Sequence, residues 1–140
     1  MDRRTFLGGM VPVLAAPSYL YRNNKAEVMG SQSVTDAFKN QQSNVIVENV
    51  PGTVESLLSD DVTGSRHQRF VVRISRYQTL LVVHNIDMAP RLSGLRQGDR
   101  VSVKGEYEWN DRGGLIHWTH KDPSSTHEDG WIDYRNVRYE

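Results

Sequence analysis

The stretch Leu95-Arg96-Gln97-Gly98-Asp99-Arg100-Val101-Ser102-Val103-Lys104-Gly105 constrains the fold more than any other part of the chain. A Gly-Asp turn runs straight into a strand with alternating side chains. Val101, Val103, Tyr107 and Trp109 fall on one side, and Ser102, Lys104, Glu106 and Glu108 on the other. One face is therefore buried and the other wet. Gly105 inside the strand permits a sharp bend. A bent, one-sided strand belongs in a sheet that coils on itself.

The same period of two recurs along the chain. Val45 and Val47 alternate with Ile46 and Glu48, and Pro51-Gly52 marks a turn or bulge before a second strand over Thr53 to Leu58. Asp60 to Ser65 reads as a loop. From His67 to Arg76, Phe70, Val72 and Ile74 face one way and His67, Arg69 and Arg73 the other. A tight link at Arg76-Tyr77-Gln78 leads to Thr79–His84, which is apolar on both faces and so predicts a covered outer side. Residues 85–98 are non-strand, with Leu92 and Leu95 in a short helical or turn element. Asn110-Asp111-Arg112-Gly113-Gly114 has the composition of a hairpin loop. Leu115 to Trp118 follows as a strand, then a loop over 119–130 and a last strand from Trp131 to Tyr139. The expectation is a mostly all-β domain, a small OB-fold-like antiparallel β-barrel of five or six short strands with one or two short helices. A different small barrel or a curled sheet is the alternative.

Ahead of this domain, residues 1–21 read as a twin-arginine-type leader: Asp2-Arg3-Arg4-Thr5-Phe6-Leu7-Gly8-Gly9 precedes a mildly apolar stretch through Ala15-Ala16. The competing readings are an ordinary secretory leader and an uncleaved anchor. Residues 22–43 form a polar linker with one short helix, since Ser33-Val34-Thr35-Asp36 resembles a capping box and Ala37 and Phe38 supply apolar positions. The domain proper is 44–140. These features predict a periplasmic or extracellular protein with no transmembrane anchor after leader cleavage. Removing Asp2, Arg3 and Arg4 with the leader leaves 15 basic residues against 16 acidic ones. No global field draws in nucleic acid, so charged recognition must be local. The absence of cysteine excludes disulfides, thiolate metal sites and thiol nucleophiles.

Several strings are similar to those of a bacterial family, domain of unknown function 3465. They are Asp60-Asp61, Gly64-Ser65-Arg66-His67-Gln68-Arg69-Phe70, His84-Asn85-Ile86-Asp87, Gly98-Asp99, Gly105-Glu106-Tyr107-Glu108-Trp109-Asn110, Gly113-Gly114, His117-Trp118-Thr119-His120-Lys121-Asp122-Pro123, His127 and Gly130-Trp131. The resemblance covers roughly residues 36–140 and is weakest over Tyr134 to Glu140. It implies a small exported protein and brings no activity, so function has to be argued from the residues.

All five histidines, His67, His84, His117, His120 and His127, lie in or beside these strings. Imidazole ligates metals and exchanges protons near neutral pH. His67, His117 and His120 are the candidate catalytic groups. His117 and His120 are three apart and point to opposite faces of a flat strand, so one ion reaches both only if the strand ends near Thr119. His120, Asp122 and His127 in the following loop are the better candidate ligands for a divalent metal such as Zn²⁺. Against this stands a structural reading in which the histidines bond loop backbone. Arg69 and Arg73 on an outward strand face are candidate anion contacts, set against pairing with Glu106 and Glu108 across the sheet. His84, Asn85, Asn110 and Trp118 complete the candidate binding set. Trp109, Trp118 and Trp131 serve either as stacking platforms or as packing. Trp109 shares the face of Tyr107, and Trp118 that of Ile116.

No Gly-x-Ser-x-Gly, P-loop, dinucleotide fingerprint or His-Glu-x-x-His occurs, and a thermonuclease-type Asp/Arg/Glu pattern does not map onto the chain. Three functions remain. The first is an exported ligand-binding domain for an oligonucleotide, a glycan or a protein segment. The second is a hydrolase, a nuclease or phosphodiesterase, working from a His/Asp cluster with or without metal. The third is a structural envelope protein.

Overall fold

A computed structural model describes the backbone of residues 17–140 and the side chains from 25 onward. The twin-arginine motif and the rest of residues 1–16 lie outside the described residues. One helix, α1, spans Pro17–Lys39. It is longer than the short helix expected, and Ser33 sits inside it rather than capping its start. Tertiary packing anchors the later turns of the helix. Val34 and Ala37 are buried in the core. Gly30 lies so close to the following strand that a Cβ there would fall 2.1 Å from the Asn49 carbonyl oxygen. At the far end Trp109 Nε1 donates to the Phe38 carbonyl at 3.1 Å, satisfying one of the carbonyls a helix terminus leaves open.

Seven strands follow: β1 Val45–Asp61, β2 His67–Ser75, β3 Gln78–Asn85, β4 Arg100–Glu108, β5 Leu115–His117, β6 Trp131–Tyr134 and β7 Val137–Tyr139. The two strands expected on either side of Pro51-Gly52 are one. The first part of β1 pairs with β4, from Val45↔Tyr107 to Thr53↔Arg100, and the second with β2, from Thr53↔Arg73 to Asp61↔His67. A bulge with Asn49 at φ 55° interrupts the β4 register. Bulge and bend let a single strand serve two neighbours. Pro51 lies just past the bulge, paired with Ser102 but ahead of the β2 pairing that begins at Thr53, where the strand still has an open edge of the kind that tolerates proline.

The strands close into a five-membered ring, β1-β2-β3-β5-β4 with β4 back on β1. An odd ring cannot be antiparallel throughout. One neighbouring pair must run the same way, and here it is β3 and β5; the other pairs of the ring are antiparallel, as expected. The order is that of an OB-like sheet. The last expected strand is a hairpin instead: β6 pairs with β4 outside the ring and turns back as β7 through Arg135-Asn136, both at positive φ (51° and 64°), the requirement of a two-residue type I′ turn.

Phe70, Val72, Leu80, Val82, Val103, Tyr107 and Ile116 fill the ring. Leu92 and Leu95, from the irregular segment between β3 and β4, are also buried in this core. That segment is turns, with no helix. Gly105, expected as a bend, acts through proximity. A Cβ there would lie 2.4 Å from the His117 carbonyl oxygen and 2.7 Å from Ile116 Cγ2.

Candidate functional site

The outward side chains of β2, β3, β5 and β4 make one continuous face. Val71 pairs with Leu81, Leu81 with Leu115, and Leu115 with Glu108. One step along, Arg69 pairs with Val83, and His117 with Glu106. Val71, Leu81, Val83 and Leu115 are each half-buried, so this face carries an aliphatic shelf in the middle and a polar cluster at one side. A groove of about 340 Å³ runs along the shelf, lined by Leu58, Val71, Thr79, Leu81, Asn110 and Arg112 among others. This explains the strand that reads as apolar on both faces: its outer side chains lean on those of β2 and β5. A larger concavity of about 580 Å³ lies elsewhere, between Glu27 of α1 and the β6–β7 hairpin. Among its lining charges Arg138 pairs with Asp133 at 2.8 Å.

The polar cluster consists of Glu106, Glu108, His117 and His127. One ligand atom each from Glu106, Glu108 and His117 lie within 4.8 Å of one another. His117 Nε2 is 3.3 Å from Glu108 Oε2 and 4.0 Å from Glu106 Oε2. On the other side of the same carboxylate, His127 Nε2 is 2.6 Å from Glu106 Oε1. Asn44 Nδ2 donates to both carboxylates, at 2.9 Å to Glu106 Oε2 and 3.0 Å to Glu108 Oε2. Hydrogen bonds from Asn44 and then His127 outweigh burial and hold the Glu106 carboxyl down at about 2. For His127, burial alone would favour the neutral ring. The bonds to Glu106 and to the Glu128 carbonyl, with the charges of Glu106 and Asp122, together outweigh it and raise the imidazole above its usual value.

The loop after β5 delivers His127. Trp118 has φ 59°, which ends the strand alternation, so Trp118 does not follow Ile116 into the core. Its ring instead stacks on His127 with centroids 4.0 Å apart and on His120 at 5.2 Å. Asp122 organises the return. Its carboxylate accepts from the amides of Ser124 (2.9 Å), Thr126 (2.9 Å) and His127 (2.6 Å). The Ser124 hydroxyl and these amides hold Asp122 well below the usual carboxylate range against the opposing effect of burial. Gly130 N then donates to the His120 carbonyl at 2.8 Å and closes the loop.

The structure does not gather the expected sets as such. His120, Asp122 and His127 do not form one ligand group: His120 is buried with Nδ1 on the Lys121 carbonyl at 2.7 Å, and the Asp122 oxygens are occupied by the loop. Of His67, His117 and His120, only His117 joins the cluster, while His67 Nδ1 donates to the Ser65 carbonyl at 2.9 Å. Arg73 forks onto Glu55, at 2.5 and 3.1 Å, rather than onto Glu106 or Glu108. Arg69 Nε donates to the Ser59 carbonyl at 3.0 Å. His84 is inside the ring. Asn85 Oδ1 accepts from the Asp87 amide, and Asn110 Oδ1 from the amides of Arg112 and Gly114, each at 2.9 Å. Asn110 nonetheless lines the groove. Trp109 is half-buried against the core, as its strand face predicts. Trp131 is buried under the Arg138 guanidinium, 3.9 Å from its ring centroid.

The residues that sequence reading passed over as site members are Glu106, Glu108 and Asn44. A usable signal existed. Folding the strand before Asn110–Gly114 back on the strand after it sets Glu106 opposite His117, the observed register. Asn44 and His127 arrive from distant segments and leave no such trace.

The model of a family described as protein of unknown function (DUF3465) matches residues 19–140. No curated protein matches the chain.

Proposed function

Because the chain belongs to that family, whose description carries no activity, we propose from the geometry that it is an exported binding module taking a polypeptide segment on the outer face of β2, β3 and β5. The observation that carries this reading is the shelf of Val71, Leu81, Val83 and Leu115, four half-buried aliphatic side chains in adjacent register beside the Asn110–Arg112 loop. In OB-like domains the face of the second and third strands with the loop between the fourth and fifth is the usual ligand surface. The chemistry of this one favours protein over the other two ligand classes. Oligonucleotides and sugars want aromatic platforms, and nucleic acid wants free cations as well. Here the platform is aliphatic, Arg73 is paired with Glu55, Arg69 Nε donates to the Ser59 carbonyl, and Arg112 is the cation that lines the groove. Export rests on the Arg3-Arg4 leader pattern ahead of the domain.

Selection of displayed peptides against the purified protein tests this reading. Enriched peptides should shift the methyl resonances of Val71, Leu81, Val83 and Leu115. Leu81→Asp should weaken them at least about tenfold, the lower end of what one buried leucine contributes. Peptides that bind the variant equally well, or binding confined to oligonucleotides or glycans, would refute it.

A further inference from the structure

We infer that Glu106, Glu108 and His117, with His127 beside them, form a binding site for one divalent transition-metal ion of the Zn²⁺ class. The inference does not rest on the peptide-binding reading. Glu106 and Glu108 are two apart on β4 and project from the same face, and the β4–β5 register sets His117 against them. Two carboxylate oxygens and an imidazole nitrogen within 4.8 Å of one another are a ligand set that borderline metals accept. Hard cations such as Mg²⁺ and Ca²⁺ prefer all-oxygen shells.

Three further features point the same way. First, the two carboxylates are drawn together with only 17% and 27% of their side chains exposed. Like charges held so close call for a positive partner between them. The Asn44 amide now fills that place by donating to both. Asn44 is exposed at the edge of β1, so its side chain can turn aside for a cation. Second, His127 is oriented as metal-bound histidines are: Nδ1 donates to the Glu128 carbonyl at 2.8 Å, which leaves Nε2 facing the cluster. Third, the principal ligands stand on paired strands, and the stacked Trp118 ring fixes the plane of His127, so the geometry exists before an ion arrives.

The test titrates the full chain, without an affinity tag, with Zn²⁺ alone and with Co²⁺ as a visible reporter. One ion per chain should bind, and Co²⁺ should show the intensified ligand-field bands of a low-coordinate site. The ring signals of His117 and His127 should move while those of His67, His84 and His120 stay. His117→Ala and Glu108→Gln should each lower Zn²⁺ affinity at least about tenfold, the step set by 1.4 kcal/mol. Absence of saturable binding, ring shifts centred on other histidines, or unchanged affinity in both variants would overturn the assignment. Should a variant lose its fold by circular dichroism, the pattern of ring shifts in the unaltered protein decides alone.

Discussion

His84 should make the protein lose stability in mild acid. Its ring is fully buried at the end of β3, with Nδ1 2.7 Å from Thr119 Oγ1 and Nε2 2.9 Å from the Pro90 carbonyl. A carbonyl only accepts, so Nε2 carries the proton, and Nδ1 accepts from the Thr119 hydroxyl. That assignment satisfies a neutral imidazole completely. Burial, helped by the positive charges of His120, His67 and Arg91 when present, pushes the ring down to about 4 from an ordinary 6.5, although the Pro90 carbonyl pulls the other way. Between these two values the unfolded chain binds a proton at position 84 that the folded chain does not. Stability therefore falls as pH falls, by about 1.4 kcal/mol per pH unit, and the loss levels off near 3 kcal/mol below pH 4. Urea unfolding across pH 4 to 7.5, for the protein and for His84→Gln, measures it. Glutamine can still donate to Pro90 and accept from Thr119, yet has no proton to gain. Contributions from His127 and the carboxylates are common to both proteins and drop out of the difference. The two stability curves should lie close together near neutrality and diverge in acid. Parallel curves, or a His84 ring signal titrating near 6.5 in the folded protein, would refute the reasoning.

Three other outcomes follow from the packing. Gly105→Ala should cost about 2 kcal/mol or more, because its Cβ meets the His117 carbonyl at 2.4 Å and backbone must give way; a lowered urea midpoint with unchanged slope is the expected signature, and an unaltered midpoint would show that β4 and β5 have room to spare. Tyr107→Phe should cost only about 1 kcal/mol, since the Gly113 carbonyl that accepts from the Tyr107 hydroxyl at 2.8 Å keeps Gln78 Nε2 at 3.0 Å; thermal unfolding checks this, and a several-fold larger loss would mean the hydroxyl holds more than that one carbonyl. Asp122→Ala should accelerate hydrogen exchange several-fold at the amides of Ser124, Thr126 and His127, which now donate to its carboxylate, and leave β4 protected. Unchanged protection at those three amides would mean the loop is organised by something else.

Local alternation made most of the strands legible. His67–Ser75, Gln78–Asn85 and Arg100–Glu108 appear where the period of two and the turn residues put them. Three features were not local and left no mark. Pro51-Gly52 breaks a strand by composition, yet tertiary demand from β4 and β2 carries β1 through it. The capping-box residues at Ser33 sit inside a helix whose position depends on Gly30 meeting β1. The parallel contact of β3 with β5 is forced by ring closure, which no single segment encodes. The site divides along the same line. His117, expected as a catalytic candidate, lies in a polar cluster, and its partners there are strand carboxylates rather than the neighbouring loop groups. Loop acids such as Asp122 are drawn to nearby amides, which are unpaired donors, before they can serve a distant ion.

The parity of the ring also explains why the aliphatic shelf and the Glu/His cluster share a face. Five strands leave one pair that must run in the same direction, and the hairpin between β4 and β5 makes β5 the strand that meets β3 in this way. Parallel pairing aligns Leu81 with Leu115, so the next outward residues, Val83 and His117, also come level. The antiparallel partner on the other side sets Glu108 against Leu115 and Glu106 against His117. Each outward row therefore runs from an aliphatic residue on β3, through β5, to a carboxylate on β4. Had the strand after Gly114 paired one residue out of step, Ile116 would face outward and His117 inward, because alternation leaves no intermediate choice. Tyr107 holds the step in place: it fills the ring against Ile116 and ties its hydroxyl to the Gly113 carbonyl at the end of the hairpin loop. The residue that sets the register is thus a core tyrosine, and the face it aligns is the one with both an apolar surface and a set of ligating atoms.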